Sequence, residues 1–243
     1  MGLLAAAWGA IAAASLIIGA LIALVRTVPN RQLGLIMAFG SGVLISSVAF
    51  ELVEEAVGIG GQIPVAVGMT LGAVVFFLGD RLIDGLGGEG MGSVNGPESP
   101  GSGLAIVLGA ALDGVPESIV LGLTIAVGGE TGIAFFAAVF LSNLPEGIAG
   151  TAGLQKGGWD TWRILRLWSI VVIASASASF VGATLLSGGQ GDLHAFILAF
   201  AGGAILTMLA DTLIPEAFEN AGNLAGLMTT FGFGLAFALS LLD

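Results

Sequence analysis

Two apolar stretches of the sequence each contain polar side chains that could bind a cation. The first, LDGVPES, carries Asp113 and Glu117, and the second, LSNLPEG, carries Ser142, Asn143 and Glu146. Residues four apart lie on one face of a helix, so Asp113 shares a face with Glu117. The same spacing relates Ser142 to Glu146. Carboxylate and amide oxygens are ligands of divalent metals, so two such helices facing each other predict a metal site.

Both stretches also contain a proline, Pro116 or Pro145. Proline has no N–H, so the carbonyl four residues earlier, that of Leu112 or Leu141, loses its helical donor. These freed carbonyls add oxygen ligands beside the carboxylates. The predicted metal ligands are Asp113, Glu117, Asn143 and Glu146, and the further candidates are Ser142, Glu51 and Asp211.

The composition indicates that these acids lie inside a bilayer. The chain has 243 residues, 56% of them hydrophobic and 9% charged, with a mean hydropathy of +1.04, whereas soluble domains are about 25% charged. A charged residue at the bilayer centre costs roughly 2.5–3.5 kcal/mol on insertion scales. Glu117 and Glu146 therefore need a partner or a function. A hydrogen-bonded contact between helices is the alternative, but Asn or Ser would serve it at lower cost.

The charge balance and the rare side chains exclude several classes of function. Six basic and seventeen acidic residues give a net charge of −11, which argues against binding of nucleic acid or anionic lipid and favours cations as partners. An acidic surface is also typical of a high-salt habitat. The absence of cysteine excludes thiolate ligands, and one histidine, His194, is expected to be a boundary residue.

No enzymatic activity and no catalytic cofactor are expected. A single histidine cannot supply the H-E-x-x-H motif of metalloproteases. The segment FLGD, which contains Asp80, faintly resembles one motif of membrane aspartyl proteases, but the partner motif is missing. The sequence therefore favours a transport or binding role over catalysis.

Eight apolar stretches predict eight transmembrane helices, because a chain in lipid must satisfy its own backbone hydrogen bonds. They lie at about 3–25, 32–56, 63–83, 104–127, 132–154, 162–186, 194–217 and 223–242. Residues 84–103 are rich in Gly, Ser and Pro and predict a flexible loop. The chain is expected to be a single all-α domain of a multi-pass protein in the cell membrane.

The basic residues assign a side to each loop. They lie in the first loop, at the end of the third stretch and around the fifth loop, as Arg26, Arg31, Arg81, Lys156, Arg163 and Arg166. With eight spans, all of them fall on one side, which the positive-inside rule makes cytoplasmic. Both termini are then extracellular, and the loop 84–103 is cytoplasmic.

Two pairs of segments indicate an internal repeat. FGSGVLISSVAFELVEEA (39–56) aligns without gaps with FAGGAILTMLADTLIPEA (200–217), and LDGVPESI (112–119) aligns with LSNLPEGI (141–148). In the predicted orientation the members of each pair run in opposite directions. The sequence therefore predicts an inverted repeat of three, two and three helices. Such repeats, with the substrate site at their interface, are typical of secondary transporters.

The two proline-containing segments resemble the metal-site helices of the ZIP family, the zinc- and iron-regulated transporter-like proteins. The fourth and fifth spans of that family carry patterns close to H-N-x-P-E-G and H-[END]-x-P-[EH]-[GE], and here they read DGVPES (113–118) and SNLPEG (142–147). The eight spans, the long third loop and the endings ELVEEA (51–56) and LIPEA (213–217) also resemble the family. The resemblance implies a homodimer that takes up metal toward the cytoplasm by moving spans 1, 4, 5 and 6 against the other four.

The chain departs from the family pattern at the histidines. Asp113 and Ser142 stand where the family usually has His, and Gly114 replaces an amide ligand. Glu51 occupies the usual His position of the second span, and SASASF (175–180) replaces a sixth-span carboxylate, so a single ion site is expected. Imidazole suits zinc and iron, whereas oxygen-only sites suit Mg, Ca and Mn. The family therefore implies zinc or iron, and these ligands favour manganese or a broad range.

Two hypotheses follow from the sequence. The first is a secondary transporter of divalent metal cations such as zinc, iron or manganese, driven by gradients because the chain contains no ATP-binding loop. The second is a ZIP-like fold that does not transport zinc and instead moves another solute or serves as a sensor or structural membrane protein. The missing histidines are the reason to keep the second.

The remaining acids are sorted by their depth in the predicted helices. Glu51, Glu54 and Glu55 fall near the outer end of the second span, as either a solvated helix end or an entry funnel. Asp211 lies near the inner end of the seventh span and is a candidate for ion exit. The acids expected to be cytoplasmic and solvated are Glu216 and Glu219.

Overall fold

The computed structural model describes residues 1–84, 102–127, 131–186 and 191–240. Within these ranges each of the eight apolar stretches forms a helix, as predicted. The helices are α1 (Gly2–Val25), α2 (Asn30–Gly60), α3 (Gln62–Asp84), α4 (Ser102–Val127), α5 (Thr131–Lys156), α6 (Thr161–Val181, extended by Gly182–Leu186), α7 (Asp192–Ala221) and α8 (Leu224–Ser240). The predicted loop 84–103 lies outside the described residues except at its ends, where Asp84 closes α3 and Ser102 opens α4.

The outer surface of the bundle is apolar. Among the described residues, six helical stretches are long and apolar enough to cross a membrane, and they belong to α1, α2, α3, α4, α6 and α7. The helix α8 is apolar but shorter, at 17 residues. In α3, side chains such as Leu71, Val75 and Leu82 are exposed. Exposed apolar side chains along whole helices are stable in lipid and not in water, so the protein is a helical membrane protein.

Helix packing divides the bundle into two groups. The first group consists of α2, α3, α7 and α8, in which α3 packs mainly on α7 and α8 packs mainly on α2. The second group consists of α1, α4, α5 and α6, in which α1 packs on both α5 and α6, and α4 packs on α6. The groups meet where α2 contacts α5 and where α4 contacts α7.

Four helix pairs each contain two glycines that face the backbone of the opposite helix. In the α3–α7 pair, a Cβ on Gly72 would overlap the carbonyl of Phe200, and a Cβ on Gly203 would overlap the carbonyl of Met69. Each carbonyl belongs to the residue three positions before the glycine of its own helix, so Phe200 precedes Gly203 and Met69 precedes Gly72. The same reciprocal contact joins Gly42 to Gly232 in α2–α8, Gly19 to Gly147 in α1–α5, and Gly122 to Gly182 in α4–α6. Glycine therefore brings these backbones together.

These contacts repeat in the way that the predicted internal repeat requires. The alignment matches Phe39 with Phe200 and Gly42 with Gly203. In the structure, both phenylalanines supply a carbonyl to a glycine, and both glycines lie against a carbonyl, in equivalent helix pairs. The inverted order of three, two and three helices and the extracellular position of the termini stay predictions.

Two helices of the first group contain a π-helical segment. These segments are Val48–Val53 in α2 and Leu209–Leu213 in α7. The alignment of 39–56 with 200–217 places one segment on the other. π-Helical turns are rare and are found mostly at functional sites. Their presence at equivalent positions of 39–56 and 200–217 is therefore a second structural similarity between these two segments, beside the glycine contacts.

The reciprocal contacts can be tested with one pair of glycines in α8. Gly232→Ala is expected to destabilise the protein by ~1–3 kcal/mol, because its added methyl group overlaps the backbone of Phe39. Gly234→Ala is the matched control, since no heavy atom of another described element lies within 4 Å of its added Cβ. We expect this control to be neutral or slightly stabilising through helix propensity. Thermal unfolding of both full-length variants in detergent checks this, and equal midpoints would contradict it.

Candidate metal site

The two proline-containing stretches form the central turns of α4 and α5. Both helices continue past Pro116 and Pro145 without a break, so the polar residues around each proline keep their helical spacing. The missing N–H leaves the carbonyls of Leu112 and Leu141 without their helical donor. The two helices also contact each other. Such contact is necessary if their acidic side chains are to lie close together.

The predicted ligands lie inside the bundle. Glu117 and Ser142 each expose 1% of their surface, and Asn143 exposes 4%. Asp113 and Glu146 are half-buried. One oxygen of Glu117, Oε1, is buried and makes no hydrogen bond within the described part of the chain. Because a buried carboxylate oxygen without a donor is destabilising, this position suits a cation, a proton or water.

Carboxylates from four helices interact electrostatically around Glu117. Glu146 lies within electrostatic range of both Asp113 and Glu117. Asp113 in turn interacts with Asp80 of α3, and Glu216 of α7 interacts with Asp113 and Glu146. We call these five residues the acidic cluster. Across the described ranges, the charged groups found to act on Asp113, Glu117 and Glu146 are all carboxylates.

The position of Glu216 differs from the sequence-based prediction. The side chain was expected to be cytoplasmic and solvated, but it is buried, with 7% of its surface exposed. Glu219, one turn further along α7, is exposed as expected. Asp211, predicted as a candidate ligand for ion exit, is also exposed. The buried acid of this part of α7 is therefore Glu216 and not Asp211.

The prediction sorted the acids by depth alone and took no account of the π-helical segment Leu209–Leu213, which lies just before Glu216. An α-helix turns by 100° per residue, and a π-helical turn takes up one extra residue. The residues after the segment are therefore rotated by about 100° relative to an uninterrupted helix, which changes the face on which Glu216 lies. The sequence did contain a signal, because Pro215-Glu216 repeats the Pro-Glu pair found in both α4 and α5.

The acids of α2 divide between the interior and the surface. Glu51 is buried, with 4% exposed, and accepts a hydrogen bond of 3.3 Å from the hydroxyl of Ser47. Glu54 is exposed, and Glu55 interacts electrostatically with His194 of α7. His194 is itself buried, with 6% exposed, so it belongs to the α2–α7 contact and is more than a boundary residue.

Hydroxyl groups and small residues surround the site helices. The hydroxyl of Ser175 in α6 lies 3.5 Å from the position of a Cβ on Gly114, the residue next to Asp113. Ser142 donates a hydrogen bond of 3.0 Å to the carbonyl of Val139 in its own helix, which leaves its oxygen able to accept or to bind a metal. A Cβ on Gly40 in α2 would lie 3.4 Å from the Cα of Ser142, so α2 packs closely on the site.

Three of the four predicted ligands interact electrostatically with one another. Asp113, Glu117 and Glu146 belong to the acidic cluster. Asn143 is buried and lies three residues before Glu146 in α5. No three Asp, Glu or His side chains among the described residues are arranged so that they could hold one metal ion. Any ion at the cluster would therefore need amide, hydroxyl, carbonyl or water oxygens in addition to one or two carboxylates.

Comparison with protein families found no family model that matches the chain. The chain is similar to a protein of Arabidopsis thaliana that bears the name "putative zinc transporter", with 25% identity over 191 residues. The aligned region covers 77% of this chain and 30% of that protein. This chain thus matches less than a third of its relative's length, and the similarity supports a distant relationship to a protein that is named as a zinc transporter.

The role of Glu216 can be separated from that of surface charge. Glu216→Gln is expected to weaken binding of Zn²⁺ or Mn²⁺ about tenfold, because it removes a carboxylate that acts on Asp113 and Glu146. Glu219→Gln removes the same charge from an exposed position of the same helix and is expected to leave binding unchanged. Titration calorimetry on the full-length protein in detergent measures both, and equal effects would exclude Glu216 from the site.

Proposed function

We propose that this protein is a secondary transporter of divalent metal cations, which it carries across the cell membrane toward the cytoplasm. The observation that carries the proposal is the acidic cluster inside a bundle of membrane helices. Three of its carboxylates, from α4 and α5, are acted on only by other carboxylates within the described residues. A transport role is also consistent with the relative that is named as a transporter.

A divalent cation satisfies the electrostatic requirement of the cluster. Like charges in a low-dielectric interior repel strongly, and uncompensated buried charges are destabilising by several kcal/mol each. One divalent ion neutralises two of the negative charges and so reduces their repulsion. It also gives Glu117 Oε1 the partner that it lacks among the described residues. When the ion leaves, protons can take its place, which links metal release to the proton gradient.

The division of the bundle supports movement of one helix group against the other. The group of α1, α4, α5 and α6 carries Asp113, Glu117 and Glu146, whereas Asp80 and Glu216 lie in the group of α2, α3, α7 and α8. Sliding of the first group would therefore carry an ion away from Asp80 and Glu216. We propose this motion, together with the 3+2+3 inverted repeat and a homodimeric assembly, from the resemblance to the ZIP family.

The ligand set favours a broad choice of metals. Carboxylate and carbonyl oxygens are the ligand types that suit Mn²⁺, whereas imidazole is a ligand typical of zinc and iron sites. His194, the sole histidine of the chain, lies with Glu55 at the α2–α7 contact. We therefore propose manganese among the substrates, beside the zinc or iron that the resemblance implies.

A second candidate function is a membrane protein of the same fold that does not move zinc. The observation that favours it is the absence, in the described part of the chain, of three acidic or histidine side chains arranged around one point. Such a protein would serve as a sensor or would carry a different solute. Direct measurement of ion flux distinguishes the two candidates.

Uptake of radiolabelled zinc, manganese and cobalt into proteoliposomes tests the proposal. We expect uptake by the unmodified protein and a loss of at least about tenfold for Glu117→Ala and Glu146→Ala, because each removes a carboxylate of the acidic cluster. Glu54→Ala is the control, since that side chain is exposed. Uptake that survives both cluster substitutions would place the ion path elsewhere, and no uptake of any of the three metals would favour the second candidate.

A further inference from the structure

A cavity of about 230 Å³ lies where α1 ends, α2 begins and α5 ends. Its polar lining includes the side chains of Arg26, Asn30, Gln155 and Lys156. Its inner wall is apolar and includes the buried side chains of Leu33 and Ile148. The cavity thus joins a polar rim to an apolar interior, and no residue of the acidic cluster lines it.

The charge of this cavity is opposite to that of the whole chain. Six basic and seventeen acidic residues are present in the sequence, yet among the described residues two basic residues and no acidic residue line the cavity. Arg26 and Lys156 are far apart in sequence, and the α1–α5 contact brings them to the same place. The overall acidity, which argued against anion binding, therefore conceals a local basic site.

Helix ends do not neutralise the two basic residues. Arg26 and Lys156 each lie at the C-terminal end of a helix, α1 or α5, which carries roughly half a negative charge. The N-terminal end of α2 contributes roughly half a positive charge, and its cap residue, Pro29, provides no side-chain cap. The three helix ends together therefore contribute roughly half a negative charge, which is less than the charge of either basic side chain.

Three of the other basic residues are held by aromatic rings. The guanidinium of Arg163 lies 3.7 Å from the ring centre of Trp159, and that of Arg166 lies 5.1 Å from the ring centre of Trp162. Arg81 stacks on Phe77 in the same way, at 4.3 Å. These contacts are the usual ones of interfacial anchors. Arg26 and Lys156 line the cavity, which is large enough for a group of several heavy atoms.

We infer that this cavity binds a phosphate group, either that of an anionic phospholipid or a free phosphate ester. Arg26 and Lys156 pair with the phosphate oxygens, and Asn30 and Gln155 offer amide donors. Basic pockets between membrane helices are typical binding places for anionic head groups. The apolar wall at Leu33 and Ile148 and the exposed side chain of Val25 provide a surface for the start of an acyl chain. This binding is separate from metal transport and does not depend on it.

Native mass spectrometry of the purified full-length protein tests the inference with defined probes. We expect phosphatidylglycerol to bind more tightly than phosphatidylcholine, and Arg26→Gln/Lys156→Gln to weaken phosphatidylglycerol binding about twenty-fivefold, at roughly fivefold for each basic residue. The matched control, Arg163→Gln/Arg166→Gln, removes two charges of the same kind that do not line the cavity. It is expected to retain the difference between the two lipids. Glycerol 3-phosphate distinguishes the sources, because its competition with the lipid identifies the phosphate group alone as sufficient.

A second variant tests the cavity without altering its charge. Ala152→Leu adds bulk to the lining and keeps both basic residues, so it should also weaken phosphatidylglycerol binding. Should the double variant not fold, as judged by size-exclusion chromatography, this variant and the single Lys156→Gln change carry the test. Equal losses in the control pair, or equal binding of both lipids together with no binding of glycerol 3-phosphate, would overturn the inference.

Discussion

Helices in a bilayer gain nothing from hiding apolar side chains, because lipid is as apolar as leucine, so this bundle depends on the close approach of backbones. Four helix pairs achieve that approach with the same device, in which a glycine on each helix lies against a carbonyl of the other. The device fixes both the distance and the axial position of each pair. Everything that the helices carry, including the acids of α4 and α5, takes its place from those contacts.

The acidic cluster opposes the packing that surrounds it. Asp113, Glu117 and Glu146 repel one another from adjacent helices, and Glu216 adds to the repulsion from the other helix group. The packing energy of the glycine contacts is spread over the length of each helix pair, whereas the repulsion is local. In the proposed transporter, this arrangement would hold like charges together until a cation or protons arrive, so that helix packing would set the affinity for cations.

Much of the fold could be predicted from the sequence, because eight apolar stretches and their breaks are strong signals in a membrane protein. The pairing of Asp113 with Glu117 was also predictable, since a regular helix fixes it. The burial of Glu216 was not, because the prediction sorted the acids by depth along the helix, and depth does not tell which face of α7 packs against the bundle. The juxtaposition of Arg26 and Lys156 was likewise hidden, since it depends on how α1 packs on α5 and not on any local pattern.

The glycine contacts also constrain how the sequence can change over time. A side chain added at Gly150 meets the ring of Trp168, and a smaller residue at 168 could make room for it. A side chain added at Gly72 or Gly203 meets a backbone carbonyl, and no exchange of the facing residue removes a carbonyl. Replacements at the first kind of position can be rescued by a single change in the neighbour. Replacements at the second kind have no local suppressor, so those glycines should vary least among relatives that keep the same helix pairs.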